Sequence, residues 1–274
     1  MVHPKRLLAA VSTVLAVATW VPPAGAATLK DLLDEVSGDT PAPCLETITT
    51  TAVPVTRPTG RCAADTVAQL YLRLLRDRAR LAVVRDAVAY HRQALEAQRS
   101  RLEGGGSSEV EVNKVNVEFH RWQLREVEVT HEVRSAEVFF IHVMTRDPTE
   151  FVDPTPDEAA WPADEAAALA ALDARLRLSV DERGLAEVAL QRAWIDYESV
   201  QREVTLLEPM KAFAVDVLAA SERGYEVSQV SLGTLLDLAS DRFELEEAYL
   251  AAGTRRLLLQ VRVLELLGRR DALD

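Results

Sequence analysis

The sequence has few aromatic residues, few glycines and only two cysteines. Phe, Trp and Tyr together make up 5% of its 274 residues, whereas Asp, Glu, Lys and Arg make up 27%. So few aromatic side chains cannot fill a thick globular core, but the abundant Ala, Leu, Val, Arg and Glu suit long helices with thin apolar seams. The composition therefore favours an all-α chain with little or no β structure.

No apolar run has the length of a membrane-spanning helix. The apolar stretch at residues 7–21 contains 15 residues, whereas a span needs about 20. It follows the basic pair Lys5 and Arg6 and precedes small residues at Ala24 and Ala26, which is the layout of a secretory signal. We therefore predict a signal peptide at 1–26 and an exported protein; the alternative is a retained N-terminal anchor.

The charge balance and the missing motifs exclude several classes of function. Loss of Lys5 and Arg6 with the signal changes the formal net charge from −12 to −14, which is unfavourable for nucleic acids and anionic membrane surfaces. The sequence contains no nucleophile elbow, phosphate-binding loop or Cys/His cluster. We therefore expect no enzymatic activity, no cofactor and no metal site.

The segment 27–62 differs from the rest of the chain. Residues 28–36 form a short amphipathic pattern in which Thr28 and Asp31 can cap a helix. Pro54 and Pro58 restrict the residues after this helix to one or two short extended pieces. In an oxidising compartment Cys44 and Cys62 would form a disulfide that closes a loop of 19 residues. The alternative is two free thiols.

Heptad periodicity dominates the region 63–146. Apolar residues recur every seven positions at Val67, Leu74, Leu81, Val88, Leu95 and Leu102. A companion row contains Leu70 and Val84, and is weakened by Asp77, His91 and Gln98. Such a helix is roughly 60 Å long and packs lengthwise on a partner helix.

The pattern then stops and restarts. Gly104, Gly105 and Gly106 end the first helix, and Ser108 with Glu111 forms a capping box for a return helix that reaches Met144. Two long helices joined by so short a turn lie antiparallel, as a first helical hairpin at 63–146.

The second half of the chain repeats the pattern of the first, with a long helix, a turn of small residues, a helix cap and a return helix. A Pro-rich connector at 147–163 leads to a second helical hairpin at 164–274, which Pro209 is expected to kink or break. Gly233 interrupts the pattern, and Thr234 with Asp237 can restart it as a capping box. The exits of the two hairpins are offset by 123 residues and the capping boxes by 126, and periodicity does not choose between these registers.

The turns "LEGGGSSEVEV" and "YEVSQVSLGTLLDL" resemble the periplasmic turns of outer-membrane efflux proteins of the TolC type, which read Tyr-x-x-Gly-x-x-Ser/Thr-x-x-Asp. The exits "MTRDP" and "LLGRRD" resemble that family's helix ends. The resemblance implies duplicated hairpins, a trimer, and turns that meet the periplasmic adaptor of an efflux pump or secretion system. In one register Ser231 replaces the Gly of the pattern and Asp237 is its acid. In the other register Ser228 replaces the Gly and Thr234 the acid.

With this resemblance we predict partner binding at twelve residues of the two turns: Gly104, Gly105, Gly106, Ser107, Ser108, Glu111, Tyr225, Ser228, Ser231, Gly233, Thr234 and Asp237. The alternative is that Ser108, Glu111, Thr234 and Asp237 only cap helices.

The sequence departs from this family where membrane-crossing strands belong. Each such strand needs about 9–11 alternating residues, and only "LETITTTAVPV" is available in the first half. We therefore expect a shortened member that lacks most or all of the β-barrel strands, located in the periplasm or outer membrane of a Gram-negative-type envelope. Its expected function is that of a TolC-like component of an efflux or type I secretion system; the alternative is a non-transport periplasmic coiled-coil scaffold or holdase.

Overall fold

The fold consists of two long helical hairpins that lie side by side. A computed structural model describes residues 28–29, 31–32, 45–49, 54–58, 60–144, 161–175 and 180–269. Helices α1 (Gly60–Glu103) and α2 (Glu109–Met144) form the first hairpin. After the short helix α3 (Glu165–Arg175), helices α4 (Val180–Glu226) and α5 (Leu232–Leu267) form the second hairpin. The prediction of an all-α fold built from antiparallel hairpins is confirmed.

The apolar rows predicted from the sequence form the seams between helices. On α1 the row from Val67 to Leu95 is buried throughout. On α2 it meets a second buried row at Val115, Trp122, Val129 and Ala136. Burying a seam of this kind removes about 25 cal/mol of unfavourable hydration per Å² of apolar surface, so packing along the whole length holds each hairpin closed.

The four long helices lie in the order α2, α1, α5, α4. Helix α1 packs on both α2 and α5, and α5 packs on both α1 and α4, so α1 and α5 are central and α2 and α4 lie at the edges. Helix α3 covers the ends of α4 and α5, where Leu172 packs with Leu190 and Leu267. The two hairpins therefore meet mainly between α1 and α5, with a smaller contact between α2 and α5.

An ionic network joins the two hairpins across that interface. Arg80 of α1 donates to Glu132 of α2 at 2.5 Å and to Glu247 of α5 at 3.0 Å. Glu247 also accepts from Arg125 of α2 at 3.0 Å. Because Arg80 and Glu247 are mostly buried, these charge-assisted bonds are screened less by solvent than ordinary surface pairs.

The N-terminal region adds a small hairpin and a helical turn. Strands β1 (Leu45–Thr49) and β2 (Pro54–Pro58) pair antiparallel, with Leu45 opposite Pro58, which matches the short extended pieces expected there. The Thr28 amide donates to the Asp31 carboxylate at 2.9 Å and the Asp31 amide to the Thr28 hydroxyl at 3.1 Å, so the predicted cap is present. Leu29 and Leu32 are buried in the same apolar cluster as the first hairpin.

Several expectations lie outside the described residues. These are the signal peptide at 1–26, Cys44 and the side chain of Cys62, and most of the connector at 147–163. The disulfide therefore stays a prediction. Within the described ranges, none of the helices contains an apolar stretch of the length and low charge that crossing a bilayer requires.

Pro209 does not break the second hairpin. Helix α4 runs through it without ending, although its ring nitrogen has no hydrogen to donate. The reason is packing: Val204 before the proline and Leu218 after it are both buried in the seam with α5. Tertiary contacts on both sides outweigh one missing hydrogen bond.

Candidate partner-binding site at the hairpin turns

The turns of the two hairpins have the same backbone hydrogen bonds. In the first turn the Gly106 amide donates to the Arg101 carbonyl at 2.8 Å, and the Gly105 amide to Leu102 at 3.0 Å. In the second turn the Gln229 amide donates to the Gly224 carbonyl at 2.8 Å, and Ser228 to Tyr225 at 3.0 Å. This pair of bonds defines the Schellman motif, which satisfies the last carbonyls of a helix.

Each motif requires one residue in left-handed backbone conformation. Gly105 has φ 72° in the first turn and Ser228 has φ 60° in the second. Glycine adopts this conformation without steric cost, whereas the Cβ of serine crowds the backbone. The second turn is therefore strained at the position where the first turn has glycine.

The return helix of the first hairpin begins with a complete capping box. The Glu111 amide donates to the Ser108 hydroxyl at 3.3 Å, and the Ser108 amide donates to the Glu111 carboxylate at 3.0 Å. The Ser107 hydroxyl donates to the same carboxylate oxygen at 3.0 Å. The Ser108 amide, followed by the Ser107 hydroxyl, holds the pKa of Glu111 below its ordinary value.

The second return helix is capped differently from the prediction. Its N-cap is Ser231, whose hydroxyl accepts from the Thr234 amide at 3.1 Å, so Thr234 lies inside the helix and does not cap it. The capping box predicted for Thr234 and Asp237 is therefore wrong, and Asp237 is an exposed residue in the second turn of α5. The helix begins about one turn earlier than the sequence suggested.

The cap also settles the repeat register. Helices α2 and α5 both contain 36 residues, and their first and last residues are each offset by 123. In this register Ser228 matches Gly105, Ser231 matches Ser108, and Thr234 matches Glu111. The second turn therefore lacks the carboxylate that completes the first one.

A chain of polar side chains connects the two turns. The buried Gln98 of α1 donates through its amide nitrogen to the Tyr225 hydroxyl, and its amide oxygen lies 3.0 Å from the Ser107 hydroxyl, whose one hydrogen is shared between Gln98 and Glu111. The Arg101 guanidinium lies over the Tyr225 ring, 4.7 Å from its centre. These contacts fix the two turns beside each other at one end of the molecule.

Apolar side chains pack beneath this polar chain. Leu95 of α1 and Val115 of α2 are in one buried cluster with Leu232 and Leu236 of α5. The cluster places the base of each turn against the other hairpin. The loop residues above it, from Gly104 to Gly106 and from Val227 to Gln229, are exposed.

The structure brings eleven of the twelve predicted turn residues together at this end and leaves Asp237 farther along α5. It also adds Gln98 and Arg101, which the sequence analysis did not assign to the site. Gln98 could have been assigned to the site from the sequence, because a polar residue in a buried heptad row needs a hydrogen-bond partner. The identity of that partner, Tyr225 at a separation of 127 residues, is a property of the tertiary fold.

The edge helices α2 and α4 carry exposed apolar faces. On α2, Val110, Val117, Leu124 and Val138 share one heptad position. On α4 the exposed apolar residues are Leu185, Val188, Ile195, Leu206, Met210, Phe213, Val215 and Val217. Side chains such as Leu124 and Phe213 are about two-thirds exposed, at 67% and 66%. Apolar surface of this extent on both edges is typical of an interaction face.

No chemistry-bearing cluster accompanies these surfaces. Within the described residues, no group of three or more His, Cys, Asp and Glu side chains is placed to hold a metal ion. The arrangement at the turns offers exposed backbone and short hydroxyl side chains on a rigid support. Such a surface is suited to contact with another protein.

The comparisons with known proteins concern the fold. No protein-family model and no curated protein matches the chain. Among solved structures it is similar to the CmeC outer membrane channel of Campylobacter jejuni, with a TM-score of 0.60 and 9% identity over 76% of this chain and 63% of that one. It is also similar to the outer membrane protein VceC of Vibrio cholerae, with a TM-score of 0.60 and 11% identity over 75% and 69% of the two chains.

A further similar structure is a membrane protein of Pseudomonas aeruginosa, with a TM-score of 0.58 and 13% identity over 75% of this chain and 68% of that one. The chain thus spans about two thirds of the length of these structures. About three-quarters of its own residues are covered by each of these similarities. The chain therefore has the fold of TolC-type outer-membrane efflux channels, as its turns predict.

Proposed function

We propose that this protein is a component of an envelope efflux or type I secretion system that assembles as a trimer and docks its hairpin turns on a periplasmic adaptor. The observation that carries the proposal is the pairing of the two turns at one end of the molecule through the hydrogen bond between Gln98 and Tyr225. A surface that meets a partner benefits from such preorganisation, because less conformational entropy is lost on binding.

The apolar edges support self-association. Helices α2 and α4 lie at opposite edges of the four-helix layer and expose apolar faces, so α2 of one copy can pack on α4 of the next. Contacts of this head-to-tail kind generate a closed ring when the rotation between copies closes. A trimer agrees with the family that the fold resembles, and would enclose a helical conduit.

The oligomer is tested by the mass of the intact mature protein in solution. Leu124→Glu on α2 and Phe213→Glu on α4 place a charge in the proposed interface, and each is expected to convert the trimer to monomer. Asn113→Glu and Ser199→Glu add the same charge at exposed polar positions of these helices and serve as controls. A monomeric unsubstituted protein would favour the scaffold or holdase function instead.

The adaptor contact is tested by photo-cross-linking in the organism that makes the protein. A photoreactive residue at Gln229, in the exposed second turn, is expected to capture a periplasmic adaptor. The same residue at Arg202, midway along α4, is the control and should not capture it. Equal capture at both positions, or none at Gln229, would contradict docking through the turns. Fractionation of the same cells tests the expected location in the periplasm or outer membrane.

A further inference from the structure

A cleft between the central helices α1 and α5 is lined by three arginines. Arg73 and Arg76 approach from α1 and Arg262 from α5, around a cavity of about 310 Å³. None of the described residues that line the cleft is acidic. Convergence of three guanidinium groups is unexpected in a chain whose formal net charge is −12, because like charges repel unless an anion lies among them.

One buried carboxylate compensates part of this charge. Asp77 is fully buried and its Oδ1 accepts from Nε and Nη2 of Arg76, at 2.9 and 2.6 Å. Its Oδ2 lies 3.5 Å from Nε of Arg73. One carboxylate among three guanidinium groups leaves the cleft with an excess of two positive charges.

Asp77 also orients the arginines. Two of the five donor hydrogens of Arg76 are used by Asp77, which fixes the plane of its guanidinium group and leaves the other donors free. An arginine held in this way loses little rotamer freedom when it binds a second anion. The buried carboxylate therefore prepares the cleft for an anion as well as neutralising part of its charge.

Arg262 has no hydrogen bond or ion pair with any residue in the described part of the chain. On the same helix Arg255 pairs with Glu203 at 2.6 Å, so acidic partners are available to arginines of α5 elsewhere. All five donors of Arg262 remain available at the mouth of the cleft.

Part of the cleft lining is apolar. Leu258 and Leu259 of α5 and Ala68 of α1 contribute this part, beside the uncharged polar residues Gln69 and Thr254. A ligand that fits this cavity therefore needs two parts, an oxyanion for the arginines and an apolar body for the leucines. Cavities that bind small molecules begin at about 300 Å³, so the body is small.

We propose that this cleft is a binding site for a small organic anion that carries a phosphate or carboxylate group on an apolar body. Planar guanidinium groups bind both kinds of oxyanion through paired hydrogen bonds. The cleft lies roughly 40 Å along α1 from Gln98, at 1.5 Å per residue, and away from the apolar faces of α2 and α4. The proposal does not depend on trimer formation or on adaptor docking.

Calorimetric titration of the full mature protein with three probes tests whether binding needs both the oxyanion and the apolar body. Phenyl phosphate carries both parts, inorganic phosphate only the anion, and benzyl alcohol only the apolar ring. We expect phenyl phosphate to bind at least tenfold more tightly than either of the others, with one site per chain. Equal binding of phenyl phosphate and benzyl alcohol, or no heat with phenyl phosphate, would overturn the proposal.

The location is tested with Arg262→Gln, which removes an exposed side chain without described partners and should leave folding intact. We expect this variant to weaken phenyl phosphate binding at least tenfold. Arg192→Gln changes the net charge equally on an exposed face of α4 and should leave the affinity unchanged. If both variants bind as the unsubstituted protein does, or if both lose affinity equally, the cleft is not the site.

Discussion

Ser228 lies at the backbone position in the second turn that Gly105 occupies in the first, and both are left-handed, with φ of 60° and 72°. A residue with a Cβ costs about 1–2 kcal/mol in this conformation. Glycine avoids that cost, but it loses about 0.5–1 kcal/mol of stability because its unfolded state is more flexible. We expect Ser228→Gly to stabilise the protein by about 0.5–1 kcal/mol, measured by denaturant unfolding.

The control for that substitution is Ala220→Gly, which places glycine in the interior of α4 at an exposed position. It should destabilise the protein by about 1 kcal/mol, because helical backbone gives glycine no compensating relief. The pair separates the backbone conformation at residue 228 from a general effect of glycine. A loss of stability in both variants would show that Ser228 is not strained.

The second capping box can be completed by one substitution. Ser231 already accepts from the Thr234 amide, but Thr234 has no carboxylate to return a bond to the Ser231 amide. Thr234→Glu would supply it, as Glu111 does for Ser108, and we expect a gain of about 0.5–1 kcal/mol in the free energy of unfolding. Asp237→Ala should have little effect on the free energy of unfolding, because Asp237 is outside the cap. If Asp237→Ala destabilised the protein and Thr234→Glu gave no gain, the repeat register with offset 126 would be the correct one.

The seams and the hairpins were predictable because their signal is local. Val67, Leu74 and Leu81 repeat at the heptad spacing, and any helix with this pattern must bury that face. Likewise the glycines at 104–106 and the Ser108–Glu111 pair determine a turn from adjacent residues alone. Local rules therefore gave the class of fold, the place of the first turn and the first cap.

The predictions for the second cap and for Pro209 failed because tertiary packing decides there between alternatives that local rules allow. Both Ser231 and Thr234 can cap a helix, and the structure uses Ser231, which lets the next residue, Leu232, pack against the first hairpin from the first turn of α5. Pro209 disfavours helix, but buried Val204 and Leu218 hold α4 on α5. The order of the four helices, and hence the arginine cleft and the Gln98–Tyr225 contact, requires long-range pairing that one sequence does not encode locally.

The contact between Gln98 and Tyr225 predicts non-additive stability. Tyr225→Phe removes the hydroxyl and leaves the amide of a buried side chain unpaired, which costs about 1–3 kcal/mol. Adding Gln98→Leu to the Tyr225→Phe variant removes the unpaired amide and restores the apolar heptad row. We expect the double variant to be more stable than Tyr225→Phe, by denaturant unfolding. Additive losses in the double variant would mean that the two side chains do not interact.

His91 makes stability depend on pH. It is fully buried, its Nδ1 donates to the Ala87 carbonyl at 2.8 Å, and its Nε2 has no hydrogen-bond partner among the described residues. Burial lowers the pKa of His91, an effect that the Ala87 carbonyl and the nearby Glu118 carboxylate only partly offset. The folded protein therefore favours the neutral form of His91.

The groups around His91 come from three helices. Its own helix contributes Tyr90, α2 contributes Glu118 and the stacked ring of Trp122, and α5 contributes Phe243 and the neighbouring Arg242. Among them only Glu118 is anionic, and the aromatic rings shield His91 from water. Protonation would therefore place a poorly compensated charge in the interface between the hairpins.

Because the folded pKa of His91 is lower than the unfolded one, the unfolded chain binds the proton more readily. Stability is thus highest above pH ~6.5 and falls as the pH decreases below it, with a slope of at most about 1.4 kcal/mol per pH unit. Denaturant unfolding between pH 5 and 7.5 should show this slope, and His91→Leu should flatten it. His120→Gln, which removes an exposed histidine of α2, should retain the slope; a His91→Leu profile as steep as the original would assign the pH dependence to other groups.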